Sequence, residues 1–167
     1  MRTKKATGVM ATGAALAALL VLSGCGLLGP DEPKRDDESG EIVEAAEADA
    51  FAIRVGDCMN YGDSEETEVE TVATVPCAEP HDTEVYAAMD MAGDEFPGND
   101  EIELQADEFC AGEFTSFVGT DPAVSEIFYS YFMPTEASWN GLDDREILCL
   151  AVDLEGGVTG TMGGSNR

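Results

Sequence analysis

The chain has 167 residues, with 35 acidic and 8 basic side chains, one histidine and a formal net charge of −27 at neutral pH. That length suits one ordinary domain with an appendage, and such a surface makes nucleic acid and anionic lipid headgroups poor partners, because it repels phosphate. Cationic partners and divalent ions stay open, although acids scattered through every segment read more simply as a solvated, salt-adapted surface than as one docking patch.

The chain opens with Arg2, Lys4 and Lys5, runs through small and apolar residues to Leu22, and then meets Ser23, Gly24 and Cys25. This is the layout of a secretory signal. Its strongly apolar part, Ala14 to Leu22, is nine residues, against roughly 20 needed to cross about 30 Å of hydrocarbon. A permanent transmembrane helix is therefore disfavoured. Leu22-Ser23-Gly24-Cys25 resembles the lipobox of bacterial lipoproteins, in which a peptidase cuts before a cysteine that carries a diacylglyceryl group. The expected division is a lipoprotein signal peptide over 1–24 and a mature chain of 143 residues starting at lipidated Cys25. An ordinary secretory peptide with a free Cys25 is the alternative. The signal removes three basic residues and no acidic one, which leaves 5 basic against 35 acidic side chains, net −30. Residues 25–50, rich in acids, proline and glycine, predict a flexible tether extended by its own charge.

From residue 51 the pattern predicts a folded domain to 164. Phe51, Ile53 and Val55 alternate before Gly56-Asp57, which reads as a strand ending in a turn. "YGDSEET" is a polar loop, and the β-branched run "EVETVATV" is a second strand stopped by Pro76. "TEVYAAMDM" puts Val85, Ala87, Met89 and Met91 on one face of a third. The period then changes: Ile102, Ala106, Phe109, Cys110, Phe114 and Phe117 form one helical stripe, with Asn99 or Asp100 placed to cap it and Gly119 to end it. "IFYSYFMPT" predicts an aromatic strand and "EASWNGLDDR" a turn. "EILCLAVDL", apolar on both faces, predicts a central strand, and "GGVTGTMGG" a last short strand or turn. The sum is a small α+β domain with one amphipathic helix on a largely antiparallel sheet.

Cys58, Cys77, Cys110 and Cys149 are an even set in an exported chain, which predicts two disulfides. Three connectivities exist. Proximity of the predicted elements favours Cys58 with Cys77 and Cys110 with Cys149, and the other two stay open. No C-x₂₋₄-C pair supports zinc.

Several pieces together, "VGDCM" at 55–59, "VPCAEPHDTEVY" at 75–86, "FPG" at 96–98, Cys110, "PTEASWNGLDDREILC" at 134–149 and the closing "GVTGTMGG", resemble the septum formation family, secreted, membrane-anchored or lipidated actinobacterial domains. The resemblance covers about residues 53–164. It implies an envelope location, a four-cysteine framework and a link to cell division. Where members often show W-x-x-G-D-R, this chain has Trp139-Asn140-Gly141-Leu142-Asp143-Asp144-Arg145.

His81, with Asp82 and Glu84 beside it, invites an acid–base or metal reading. No G-x-S-x-G, H-E-x-x-H or Ser-x-x-Lys pattern accompanies it, and oxidised cysteines offer no thiolate. A structural role at the Pro80 corner is the simpler reading, with ligand contact second. Trp139 and Arg145 flank a loop that could stack on a sugar or peptide, although core packing of Trp139, with Arg145 paired to an acid, is the commoner arrangement. "DEFPGNDE" and "NGLDD" lack the spacing of a calcium loop, and Met89, Met91 and Met133 read as core filler. The expectation is a non-enzymatic interaction domain without cofactor or metal, lipid-anchored on the extracytoplasmic face of the cell membrane, that binds an envelope protein. The alternative is a binder of wall polymer or a small ligand through the loop from Trp139 to Arg145.

Overall fold

The structure, a computed structural model of the protein, describes residues 32–61 and 69–167. The stretch expected to be a signal peptide, Cys25 and most of the "YGDSEET" loop lie outside the described residues. The frame is a six-stranded antiparallel sheet of β1 (Ala46–Asp49), β2 (Cys58–Asn60), β3 (Thr71–Val75), β4 (Thr83–Asp90), β5 (Phe128–Phe132) and β6 (Glu146–Val152), ordered β1-β3-β2-β4-β6-β5. Two helices, α1 (Asn99–Val118) and α2 (Glu136–Leu142), complete it. The small α+β class with an amphipathic helix packed on an antiparallel sheet holds.

β6 is buried along six of its seven positions because both its faces are apolar. Ile147, Cys149 and Ala151 join Ile102, Cys110 and Phe114 of α1 in the larger core. Leu148, Leu150 and Val152 meet Ala48, Ile53 and Met59 in a smaller core on the opposite face. α1 buries Ile102, Ala106, Cys110, Phe114 and Val118, one residue per turn at spacing four, and ends where Gly119 takes φ 91°, a left-handed value that glycine reaches without a Cβ clash. Cys110 bonds to Cys149, which staples α1 to β6, and Cys58 bonds to Cys77, which closes the β2–β3 segment. The preferred connectivity is the one present. The Tyr86 hydroxyl donates to the Cys110 carbonyl at 2.6 Å, and burial pushes that phenol well above its ordinary range.

Five local expectations need correction. Residues 32–50, assigned to the flexible tether, lie against the domain. β1 pairs with β3 through Ala46↔Thr74 to Asp49↔Thr71, Ile42 is buried, and Arg35 grips buried Asp57. Average composition suggested a free chain, yet one ion pair, one apolar anchor and a four-residue edge strand are enough to hold it. The strand expected at 51–57 is a single 3₁₀ turn, Ala50–Ala52, followed by a loop that buries Ile53 and leaves Phe51 and Val55 exposed. In β4 a bulge between Val85 and Ala87 turns Val85, opposite Leu150, to the smaller core and Ala87, opposite Cys149, to the helix side. Gly98 occupies the N-cap of α1, so neither Asn99 nor Asp100 caps it. The turn expected from "EASWNGLDDR" contains α2, capped by reciprocal bonds between Thr135 and Ser138 and ended by Asp143 at φ 57°.

Candidate functional site

The three candidate ligand residues fall at opposite ends of β4. His81 immediately precedes the strand, and the Arg145 carbonyl accepts from the Met91 amide just beyond it. Ten residue steps from His81 to Met91, through the eight residues of β4, separate the two ends by roughly 30 Å. They do not form one site.

His81 is fully buried. Its amide and carbonyl exchange bonds with Val158, both 2.9 Å, and Nδ1 lies 2.8 Å from the Glu79 carbonyl. A carbonyl only accepts, so Nδ1 carries a proton, while Nε2 has no hydrogen-bond partner among the described residues. A His81 ring nitrogen, Cys58 Sγ and a Glu84 carboxylate oxygen lie within 4.8 Å of one another. The chemistry of that trio does not suit a cation as it stands: the sulfur is bonded to Cys77, and Glu84 already accepts from Thr161 Oγ1 at 2.7 Å and the Met162 amide at 2.6 Å. His81 and Glu84 pin the closing segment, which buries Met162, against the sheet.

Trp139 is 1% exposed, meets Phe96 edge-on at 5.8 Å and donates Nε1–H to the Asp94 carbonyl. The Arg145 guanidinium lies 3.9 Å above the indole. Its Nε donates to the Gly93 carbonyl, Nη1 to the carbonyls of Trp139 and Asp144, and Nη2 pairs with Asp143. Four of the five N–H groups of the fork are engaged in these bonds, which tie α2 to the loop after β4.

Sequence reasoning missed one further feature. On the sheet face opposite α1, a groove of about 640 Å³ runs between α2 and the turn after β1. Phe51, Phe132, Met133, Leu142 and Leu148 supply its apolar surface, and Phe51 and Leu142 are 58% and 66% exposed. Asp49, Glu70, Asp144 and Glu146 supply its carboxylates. Asp49 accepts from the Phe51 amide and so fixes that wall, while Asp144 accepts from Ser138 Oγ and the Glu146 amide. The Glu146 carboxyl is raised above the usual carboxylate range, first by desolvation and then by repulsion from Asp90 and Asp144. A shallower hollow, lined in part by Phe51, Leu142, Asp144 and Glu146, continues past Arg145. The groove could not be read from the sequence because its walls come from five separate stretches, none with a motif.

The result is a disulfide-braced α+β domain with a buried histidine and an open groove rimmed by carboxylates. The family model for septum formation matches residues 23–149, and the chain belongs to that family. The match starts ahead of the residues that carried the resemblance and so takes in the segment anchored by Arg35. Membership ties the chain to septum formation, and through it to cell division and the envelope. No curated protein and no solved structure matches it.

Proposed function

We propose that the chain is a non-enzymatic interaction domain, tethered by a lipid on Cys25 to the extracytoplasmic face of the cell membrane, that binds an envelope protein during septum formation. The observation that carries this reading is the groove opposite α1, where large apolar side chains stay exposed on a domain braced by two disulfides. Exposed apolar surface of this kind marks a binding site more often than a catalytic one when no nucleophile and base converge on it. The lone histidine is buried at the far end of β4. Support for the anchor comes from the lipobox-like Leu22-Ser23-Gly24-Cys25, and among the described residues no helix is long and apolar enough to cross a membrane.

Cells fed labelled palmitate test the anchor. The wild-type chain should take up label and sediment with membranes, and Cys25→Ala should lose the label. A Cys25→Ala chain that remains labelled contradicts it.

A further inference from the structure

We infer that the groove opposite α1 accepts a basic segment of a partner protein, with its aliphatic or aromatic side chains on the apolar floor and its Lys or Arg side chains on the rim. The inference rests on the interaction reading above and specifies its partner.

Two properties of the groove select this occupant. The floor offers Phe51, Phe132, Met133, Leu142 and Leu148, enough apolar surface to reward a few buried side chains. The rim offers Asp49, Glu70, Asp144 and Glu146, and among the described residues no ion pair reaches any of these four. Four of the five described cations pair elsewhere, Lys34 with Glu44, Arg35 with Asp57, Arg145 with Asp143, and Arg167 with Glu126 and Asp153, and the fifth, Arg54, makes no ion pair with the rim. The groove therefore carries uncompensated negative charge directly beside exposed hydrocarbon. A ligand that is only apolar leaves those carboxylates partly desolvated and unpaired, and a ligand that is only cationic leaves the floor wet. A segment with both kinds of side chain satisfies both. Desolvation raises Glu146 first and repulsion from Asp90 and Asp144 second, and a cation beside it relieves that repulsion. A second copy of this chain is a poor occupant, because each mature copy carries a net charge of −30.

The test uses the full chain in detergent and three labelled nine-residue peptides, alternating Lys with Leu, Lys with Ser and Glu with Leu, read by fluorescence anisotropy. The Lys–Leu peptide should bind. The Lys–Ser peptide should bind at least tenfold more weakly, and the Glu–Leu peptide should not bind. Glu70→Gln with Glu146→Gln should weaken Lys–Leu binding about fivefold, whereas the same loss of charge on the outer face of α1, Glu103→Gln with Glu108→Gln, should change it less than about twofold. Raising salt from about 50 to 500 mM should weaken binding to the wild type more than to the rim variant. Far-UV circular dichroism checks that each variant is folded. Equal weakening by the two double variants overturns the proposal, since attraction to the general acidity then suffices. Equal binding of Lys–Leu and Lys–Ser removes the floor from the account and overturns it, and so does concentration-dependent dimerisation abolished by Leu142→Lys. Failure of the peptides to bind, alongside recovery in cells of an envelope protein crosslinked from the groove, overturns the basic occupant and leaves the interaction reading standing.

Discussion

Arg35→Ala tests whether the segment before β1 is part of the domain. The guanidinium donates to both carboxylate oxygens of Asp57, Nη1 to Oδ1 and Nη2 to Oδ2 at 2.7 Å, and also reaches the carbonyls of Gly40 and Ala52. The two side chains are only 14% and 3% exposed, and the bond to Asp57 raises the Arg35 pKa above its ordinary value. Removing one partner of a buried pair costs about 3–5 kcal/mol. Asp57 keeps the Arg54 amide at 2.8 Å, and water can follow once the segment peels away, so the expected loss lies near or below the lower end, about 2–3 kcal/mol. For a domain of this size that corresponds to a fall in Tm of about 6–12 °C. Urea unfolding followed by the fluorescence of Trp139, the single tryptophan, measures it. Pairing Arg35→Ala with Asp57→Ala, which removes the stranded carboxylate, should cost clearly less than the sum of the two single changes. The consequence reaches the groove, because Arg35 and Asp57 hold the turn that carries Phe51. A stability within about 0.5 kcal/mol of wild type refutes the reasoning, and the segment is then a tether, as its composition suggests.

Trp139→Ala removes a fully buried indole together with its contacts to Phe96 and Arg145, and should cost about 3–5 kcal/mol by calorimetry; a cost near zero would show that Trp139 is not packed as described. The disulfides contribute through the unfolded chain. Sequence separations of 39 and 19 give about 4 kcal/mol for Cys110–Cys149 and about 3 kcal/mol for Cys58–Cys77, so the first paired Cys→Ala variant should unfold at the lower urea concentration. The reverse order would contradict this estimate. The folded Glu146 carboxyl titrates above its reference value of 4.5, so it takes up a proton more readily folded than unfolded. Its favourable contribution is present below the unfolded value and disappears as pH rises through the folded one. Glu146→Gln should therefore compare more favourably with wild type at pH 7 than at pH 4 in urea midpoints; an equal difference at both pH values removes the raised carboxyl.

Sequence legibility followed how local the physics was. α1 was readable because one apolar residue per turn repeats over 20 residues, and β6 because both its faces are apolar. Proximity favoured the cysteine pairing that is present without excluding the other two, and Cys110–Cys149 was the better marked because α1 and β6 are themselves recognisable. α2 escaped because seven residues including Gly141 give a weak helical pattern, and its cap is Thr135 with Ser138 rather than a glutamate. The bulge at Val85 and Ala87 leaves no trace in a run of small and apolar residues, yet it decides which core each side chain enters. Arg35 looked like one more charge in a charged stretch, since its partner lies 22 residues away. His81, Trp139 and Arg145 stood out by residue type, and each has an internal partner. The groove, assembled from β1, β3, β5, β6 and α2 with their flanking turns, has no counterpart in any short stretch of sequence.

The central claim, recognition of an envelope protein through the groove, is tested most directly by photo-crosslinking in dividing cells. A photoreactive residue is placed at Phe51 or Leu142 on the groove wall, or at Leu104, exposed on α1 away from it, and adducts are read by mass spectrometry. The account predicts an envelope protein bearing a basic, apolar-punctuated segment, captured from Phe51 and Leu142 and not from Leu104. Capture that is absent, or equal at all three positions, contradicts it.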